Sequence, residues 1–103
     1  MADRLKGKVA LVVGAGSIGP GWGNGKATAV AFAREGARVF CADINPSAAD
    51  ETTRIINAEG GQAVAHRADV SKAADVTAMV EACVTTFGRI DVLDNNEIGR
   101  AHV

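Results

Sequence analysis

The chain has no tyrosine, and its 103 residues hold one tryptophan, three phenylalanines, two prolines and two cysteines. Each scarcity excludes something. Without tyrosine, no phenol in these residues can serve as a proton donor or base. Cys41 lies in an apolar run and Cys83 in a helical pattern; both read as buried, reduced thiols, so the expected compartment is cytoplasmic and no metal site is expected. No apolar stretch approaches the ~20 residues of a membrane span. The start, Asp3-Arg4-Leu5-Lys6-Gly7-Lys8, is charged and does not read as a signal peptide. A net charge of -1 gives no general attraction to nucleic acid or to an anionic membrane surface. With 48% hydrophobic and 22% charged residues, the chain reads as globular, one domain or part of one.

What the chain has in quantity is glycine. Six of its 12 glycines fall between Gly14 and Gly25, directly after the apolar run Val9–Val13. A strand that empties into glycines and then a helix brings bare backbone against an anion: glycine tolerates positive φ, and a helix N-terminus offers unpaired N–H groups and a positive dipole end. The expectation is a dinucleotide site. Two registers fit. Gly14-Ala15-Gly16-Ser17-Ile18-Gly19 satisfies G-x-G-x-x-G literally. In the second register, which we prefer, Gly14-Ala15-Gly16-Ser17 is interrupted by Ile18–Trp22 and resumes as Gly23-Asn24-Gly25 at the helix start. It puts a glycine where helix and strand pack closely and leaves Pro20 outside the helix. Trp22 can cover a cofactor or merely shield this loop.

Strand and helix patterns alternate along the rest of the chain. Residues 26–35 form an alanine-rich helix with Gly36 as its C-cap. Residues 37–43 form a second strand, and Asn45-Pro46-Ser47 starts a helix with Ala48, Thr52, Ile55, Ile56 and Glu59 on one stripe, ended by Gly60-Gly61. Residues 62–67 form a third strand, and Ser71 is the expected N-cap of the next helix. There Val76, Met79, Val80, Cys83, Val84 and Phe87 recur at helical spacing, Gly88 stops them, and residues 90–94 form a fourth strand. Helices between short apolar strands imply right-handed crossovers and a parallel sheet.

Two acids stand at strand ends. Asp43 follows Gly25 by 18 residues, the spacing at which a carboxylate can accept from both ribose hydroxyls and repel a 2′-phosphate. With Ile44 rather than a basic residue after it, NAD is favoured over NADP. Asp69-Val70 follows the third strand; it can hold an adenine amine against an apolar wall, or Asp69 can simply be a helix-entry acid. His66 and His102 fit neither scheme.

In this order, Val13-Gly14-Ala15-Gly16-Ser17…Gly23-Asn24-Gly25, Asp43, Asp69-Val70 and Asp91-Val92-Leu93-Asp94-Asn95-Asn96 resemble the N-terminal half of a short-chain dehydrogenase/reductase. That family carries T-G-x-x-x-G-x-G, an acid after the second strand, D-V after the third and N-N-A-G after the fourth. The resemblance covers residues from about 5 to 96. It implies an α/β fold, a Rossmann-type parallel sheet of order βαβαβαβ that is one part of a doubly wound fold. It also implies NAD as cofactor, a small-molecule alcohol or carbonyl substrate for the parent protein, and a homo-oligomeric parent. The cofactor contacts it implies are Gly14, Gly16, Ser17, Gly23, Asn24, Gly25, Asp43, Ile44, Asp69, Val70 and Asn95, with Asn95 bracing the sheet. The chain departs from the pattern in three places: Val13 replaces the usual Thr, five residues are inserted in the glycine loop, and N-N-A-G breaks after Asn96.

The family's chemistry resides in a Ser and a Tyr-x-x-x-Lys pair beyond the fourth strand, so no catalytic residue is expected here and these residues alone are expected to be inactive. The alternative is a free-standing NAD-binding module without catalysis; a doubly wound regulatory domain without nucleotide is weakened by the glycine loop and Asp43 together. The tail Glu97-Ile98-Gly99-Arg100-Ala101-His102-Val103 resembles the translation of a common sequencing adapter, GAG ATC GGA AGA GCA CAC GTC. On that expectation residues 1–96 are native cofactor-binding sequence and 97–103 are not.

Overall fold

The computed structural model describes residues 3–16 and 24–96. Elements follow in the order β1 (Val9–Val13), α1 (Asn24–Arg34), β2 (Arg38–Asp43), α2 (Pro46–Ala58), β3 (Gln62–Arg67), α3 (Ala73–Phe87) and β4 (Val92–Asn95). The strands form one parallel sheet in the order β3-β2-β1-β4. This is the expected Rossmann-type α/β arrangement. β1 is buried along its whole length, as a continuous run of branched apolar residues requires in a sheet covered on both faces.

Alternation along the strands divides the core into two layers. Ala10, Val12, Val39 and Cys41 face the side covered by α1 and α2, together with Ala29, Val30 and Ile56. Val9, Leu11, Val13, Phe40 and Ala42 face the side covered by α3, packing with Met79 and Cys83. Phe40 also meets Phe87 edge-on, ring centroids 6.4 Å apart.

Local chemistry sets the element ends. The Asn45 side chain accepts from the Ser47 and Ala48 N–H groups, capping α2, and Pro46 takes the first helical position where its missing N–H is harmless. Gly36 and Gly88 carry φ of +100° and +87°, the left-handed stops that follow α1 and α3.

Two local expectations need correction. Ser71 does not cap α3: its N–H and hydroxyl both turn back to Asp69 Oδ1, and Lys72, whose side chain makes no cap bond, takes the N-cap position. The α3 stripe is also wider than its covered face. Met79 and Cys83 are buried, whereas Val80 and Val84 are exposed, because the layer beside α3 stops at β4 in the described residues. Among those residues, no helix is long and apolar enough to cross a membrane, and no cluster of His, Cys, Asp or Glu could hold a metal ion.

Candidate functional site

At the C-terminal ends of β1 and β2 the chain makes a tight, fully specified turn. Gly14, at φ +73°, and Ala15 both donate their N–H groups to the Ala42 carbonyl, at 2.8 and 3.1 Å. The next N–H, of Gly16, donates to Asp43 Oδ2 at 2.9 Å, and the Asn45 N–H donates to Asp43 Oδ1 at 2.8 Å. Asp43 is 6% exposed, and each of its oxygens holds a backbone donor.

Glycine is required here by space as well as by φ. A Cβ on Gly16 would lie 2.2 Å from the Ala48 Cβ of α2, and one on Gly25 would lie 1.6 Å from the Gly14 carbonyl oxygen. The second contact presses the N-terminal end of α1 onto the turn, with the positive end of its dipole and its unpaired N–H groups directed there. Beside it, buried Lys26 of α1 pairs with Glu51 of α2 at 3.1 Å. The fully buried Thr52 hydroxyl donates to the Ala15 carbonyl at 2.9 Å.

The other expected site residues share this edge in different ways. The Ala68 N–H donates to the Asp43 carbonyl at 3.1 Å, which sets Asp69-Val70 next to the end of β2. The Asp69 carboxylate is engaged with Ser71, which holds it below the usual carboxylate range. The Ser71 hydroxyl is the larger cause and its N–H the next, with Lys72 and Arg67 adding smaller contributions. In this structure one oxygen of the Asp69 carboxylate holds the turn at Ser71 that precedes α3. Val70 packs against the core under α3. Ile44 is exposed beside Asp43, and Asn24 is exposed at the start of α1. Asn95 stands opposite Val13 in the β1–β4 register, and the Asn96 N–H donates to the Val13 carbonyl at 2.8 Å. Ser17, Gly23 and Trp22 lie outside the described residues, as does the 97–103 tail.

Gly14, Gly16, Gly25 and Asp43 thus form one contact set, with Asp69 and Asn95 at its flanks. Sequence reasoning missed Ala48, Thr52, Lys26 and Glu51. Thr52 was legible only as a member of the α2 stripe, and nothing local to residues 48–52 signals a contact with the turn some 37 residues earlier.

The family model for short chain dehydrogenases matches residues 8–99. The chain belongs to the short-chain dehydrogenase family. It is 41% identical to the cyclohexanol dehydrogenase of an Acinetobacter strain over 96 residues, 93% of this chain and 36% of that protein. A hydroxysteroid dehydrogenase structure from Escherichia coli superposes with a TM-score of 0.87 at 38% identity, covering 93% of this chain and 39% of that one. A 7α-hydroxysteroid dehydrogenase solved with NADH and 7-oxo glycochenodeoxycholic acid superposes with a TM-score of 0.81 at 38% identity, over 87% of this chain and 33% of that one. The short-chain dehydrogenase chain described here spans about a third of the length of such relatives, 36% in the first case.

The foot of α1, with its unpaired N–H groups and positive dipole end, is suited to an anion, while the N–H groups of Gly14, Ala15 and Gly16 are held by Ala42 and Asp43. The thiols take no part. Cys41 is buried under α2, and burial pushes its thiol up to about 11, with the nearby Thr53 hydroxyl acting weakly the other way. Burial raises the Cys83 thiol as well, which disfavours the thiolate at both positions.

Proposed function

We propose that this chain is the NAD-binding part of an oxidoreductase that interconverts an alcohol and a carbonyl. The observation that carries this reading is Asp43, a buried carboxylate at the end of β2, with the N–H of the glycine turn 2.9 Å from its Oδ2. On this reading it would accept from the two ribose hydroxyls of the adenosine, and its charge would oppose a 2′-phosphate, favouring NAD over NADP. The NADH-bound relative supports the same cofactor.

The described residues fit a dinucleotide at the foot of α1, whose unpaired N–H groups and positive dipole end suit a pyrophosphate, while glycine at 16 and 25 lets the turn close onto α2 and α1. Gly14, Gly16, Ser17, Gly23, Asn24 and Gly25 would line the pyrophosphate. Asp43 and Ile44 would take the ribose, Asp69 and Val70 the adenine side, and Asn95 would brace β4. When bound, the nicotinamide supplies a hydride donor or acceptor. The chain's own work is to bind and orient it; with no tyrosine, these residues supply no phenolic proton donor, and by themselves they are proposed to be inactive.

Calorimetric titration tests the NAD reading. NAD is expected to bind the chain and NADP to bind at least about tenfold more weakly. Replacing Asp43 by Asn removes the charge and turns an N–H donor against a backbone N–H; NAD affinity is expected to fall and the preference over NADP to narrow. Equal affinity for both cofactors in the unmodified chain would overturn the reading of Asp43. Sequencing the source DNA through codon 97 tests whether the 97–103 tail is native, and whether a Ser and Tyr-x-x-x-Lys follow.

A further inference from the structure

One peptide unit in the glycine turn is held at both ends by buried side chains. The carbonyl of the Ala15–Gly16 peptide accepts from Thr52 Oγ1 at 2.9 Å, and its N–H donates to Asp43 Oδ2 at 2.9 Å. Thr52 is fully buried on α2, and Asp43 ends β2. The two contacts fix the plane of this peptide, and with it the direction in which the glycine loop leaves β1.

A threonine in mid-helix ordinarily returns its hydroxyl to the carbonyl four residues earlier. Thr52 has that partner available, the Ala48 carbonyl at 3.3 Å, yet its single hydroxyl proton has the shorter contact to Ala15. Among the described residues Thr52 is the side chain that donates to the Ala15 carbonyl, and a buried carbonyl that loses its donor is costly. Ala15 itself is buried, and the Ala48 Cβ fills the only space a side chain at Gly16 could use. The turn is therefore keyed into α2 by shape at Ala48 and by a hydrogen bond at Thr52.

We propose that Thr52 is a positioning residue for cofactor binding. By holding the Ala15 carbonyl toward α2, it keeps the Gly16 N–H on Asp43 and fixes the turn at Gly14–Gly16 beside the foot of α1. The proposal rests on the NAD reading given above. It also couples α2 to the site: a shift of α2 along its axis would rotate this peptide and loosen Asp43 in the same movement.

The test uses the 103-residue chain and three measurements: NAD titration, thermal unfolding, and hydrogen exchange at the Gly16 amide compared with the β2 amides. Thr52→Val keeps the shape and removes the donor. It is expected to weaken NAD about tenfold, the effect of one lost hydrogen bond. Gly16 exchange is expected to accelerate while Val39–Ala42 stay protected. Thr52→Ser keeps the donor and loses a methyl group; it is expected to restore both affinity and Gly16 protection. If Thr52→Val does not fold, Thr52→Cys, a weak donor of similar size, is read in the same way. Unchanged affinity and unchanged Gly16 exchange in the donor-less variant would overturn the proposal. So would a serine variant that behaves like valine, since packing alone would then explain the loss, and so would a Gly16 amide without protection in the unmodified chain. If the folded unmodified chain takes up no NAD, the cofactor reading falls, while Gly16 exchange still decides the role of Thr52.

Discussion

Gly25 and Gly14 are in backbone contact: a Cβ on Gly25 would sit 1.6 Å from the Gly14 carbonyl oxygen. No rotamer change relieves that overlap, because the obstructing atom belongs to the main chain. Gly25→Ala is therefore expected to cost more than the ~1–3 kcal/mol of ordinary overpacking. Gly60 provides the contrast, with open space around its Cβ position and φ of +92°. There alanine meets only backbone strain, ~1–2 kcal/mol. Denaturant midpoints of the two variants should differ clearly, with Gly25→Ala the lower.

The two thiols lie on opposite faces of the sheet, Cys41 under α2 and Cys83 under α3, so the sheet itself keeps them from pairing. Neither is expected to react with an aromatic disulfide reagent while the chain is folded, and both should react on denaturation. Prompt stoichiometric modification of the native chain would contradict the burial of Cys41.

Asp91 ties the first and last strands through its contact with the Val9 N–H at 2.9 Å, and Arg89 lies 2.6 Å from its other oxygen. Arg89, then the Val9 N–H, hold its carboxyl below the ordinary value of 3.8. A carboxyl whose folded value is depressed adds stability above its unfolded value and loses it as pH falls through the folded one. The acid limb of a Tm-against-pH curve should therefore fall below about pH 4. Asp91→Asn should flatten it; an unchanged limb would remove Asp91 from that role.

Leu93 is 65% exposed on edge strand β4, on the same face as its register partner Leu11, where α3 also leaves Val80 and Val84 partly uncovered. Apolar surface beside an unpaired strand edge favours association. Light scattering is expected to show concentration-dependent assembly of the chain, and Leu93→Lys to shift it toward monomer.

The fold was legible because its signals are local. Val9–Val13 is apolar without alternation, which only a strand covered on both faces explains. Asn45-Pro46 states the start of α2, and Gly36 and Gly88 state the ends of α1 and α3. The site was legible as a set of residue types at strand ends. Its connections were not, because they join residues far apart in sequence: Gly16 to Asp43 spans 27 positions and Ala15 to Thr52 spans 37. Ser71 misled for a related reason. A serine before a helix is a capping residue by type, yet Asp69 two positions earlier competes for both of its donors and draws it back into a turn.

The sheet order sets a condition on how the chain can be made. β1 lies between β2 and β4, and the Val9 N–H finds its acceptor 82 residues later, in Asp91. β1 is thus completed on that side by a strand that leaves the ribosome some 80 residues after it. Closing so long a loop before parallel pairing offsets its entropy is slow. During synthesis, β1 and β2 with their helices can gather early, but one side of β1 stays unpaired until about residue 92 has emerged. Through that interval Val9–Val13 is the stretch most in need of shelter from other chains.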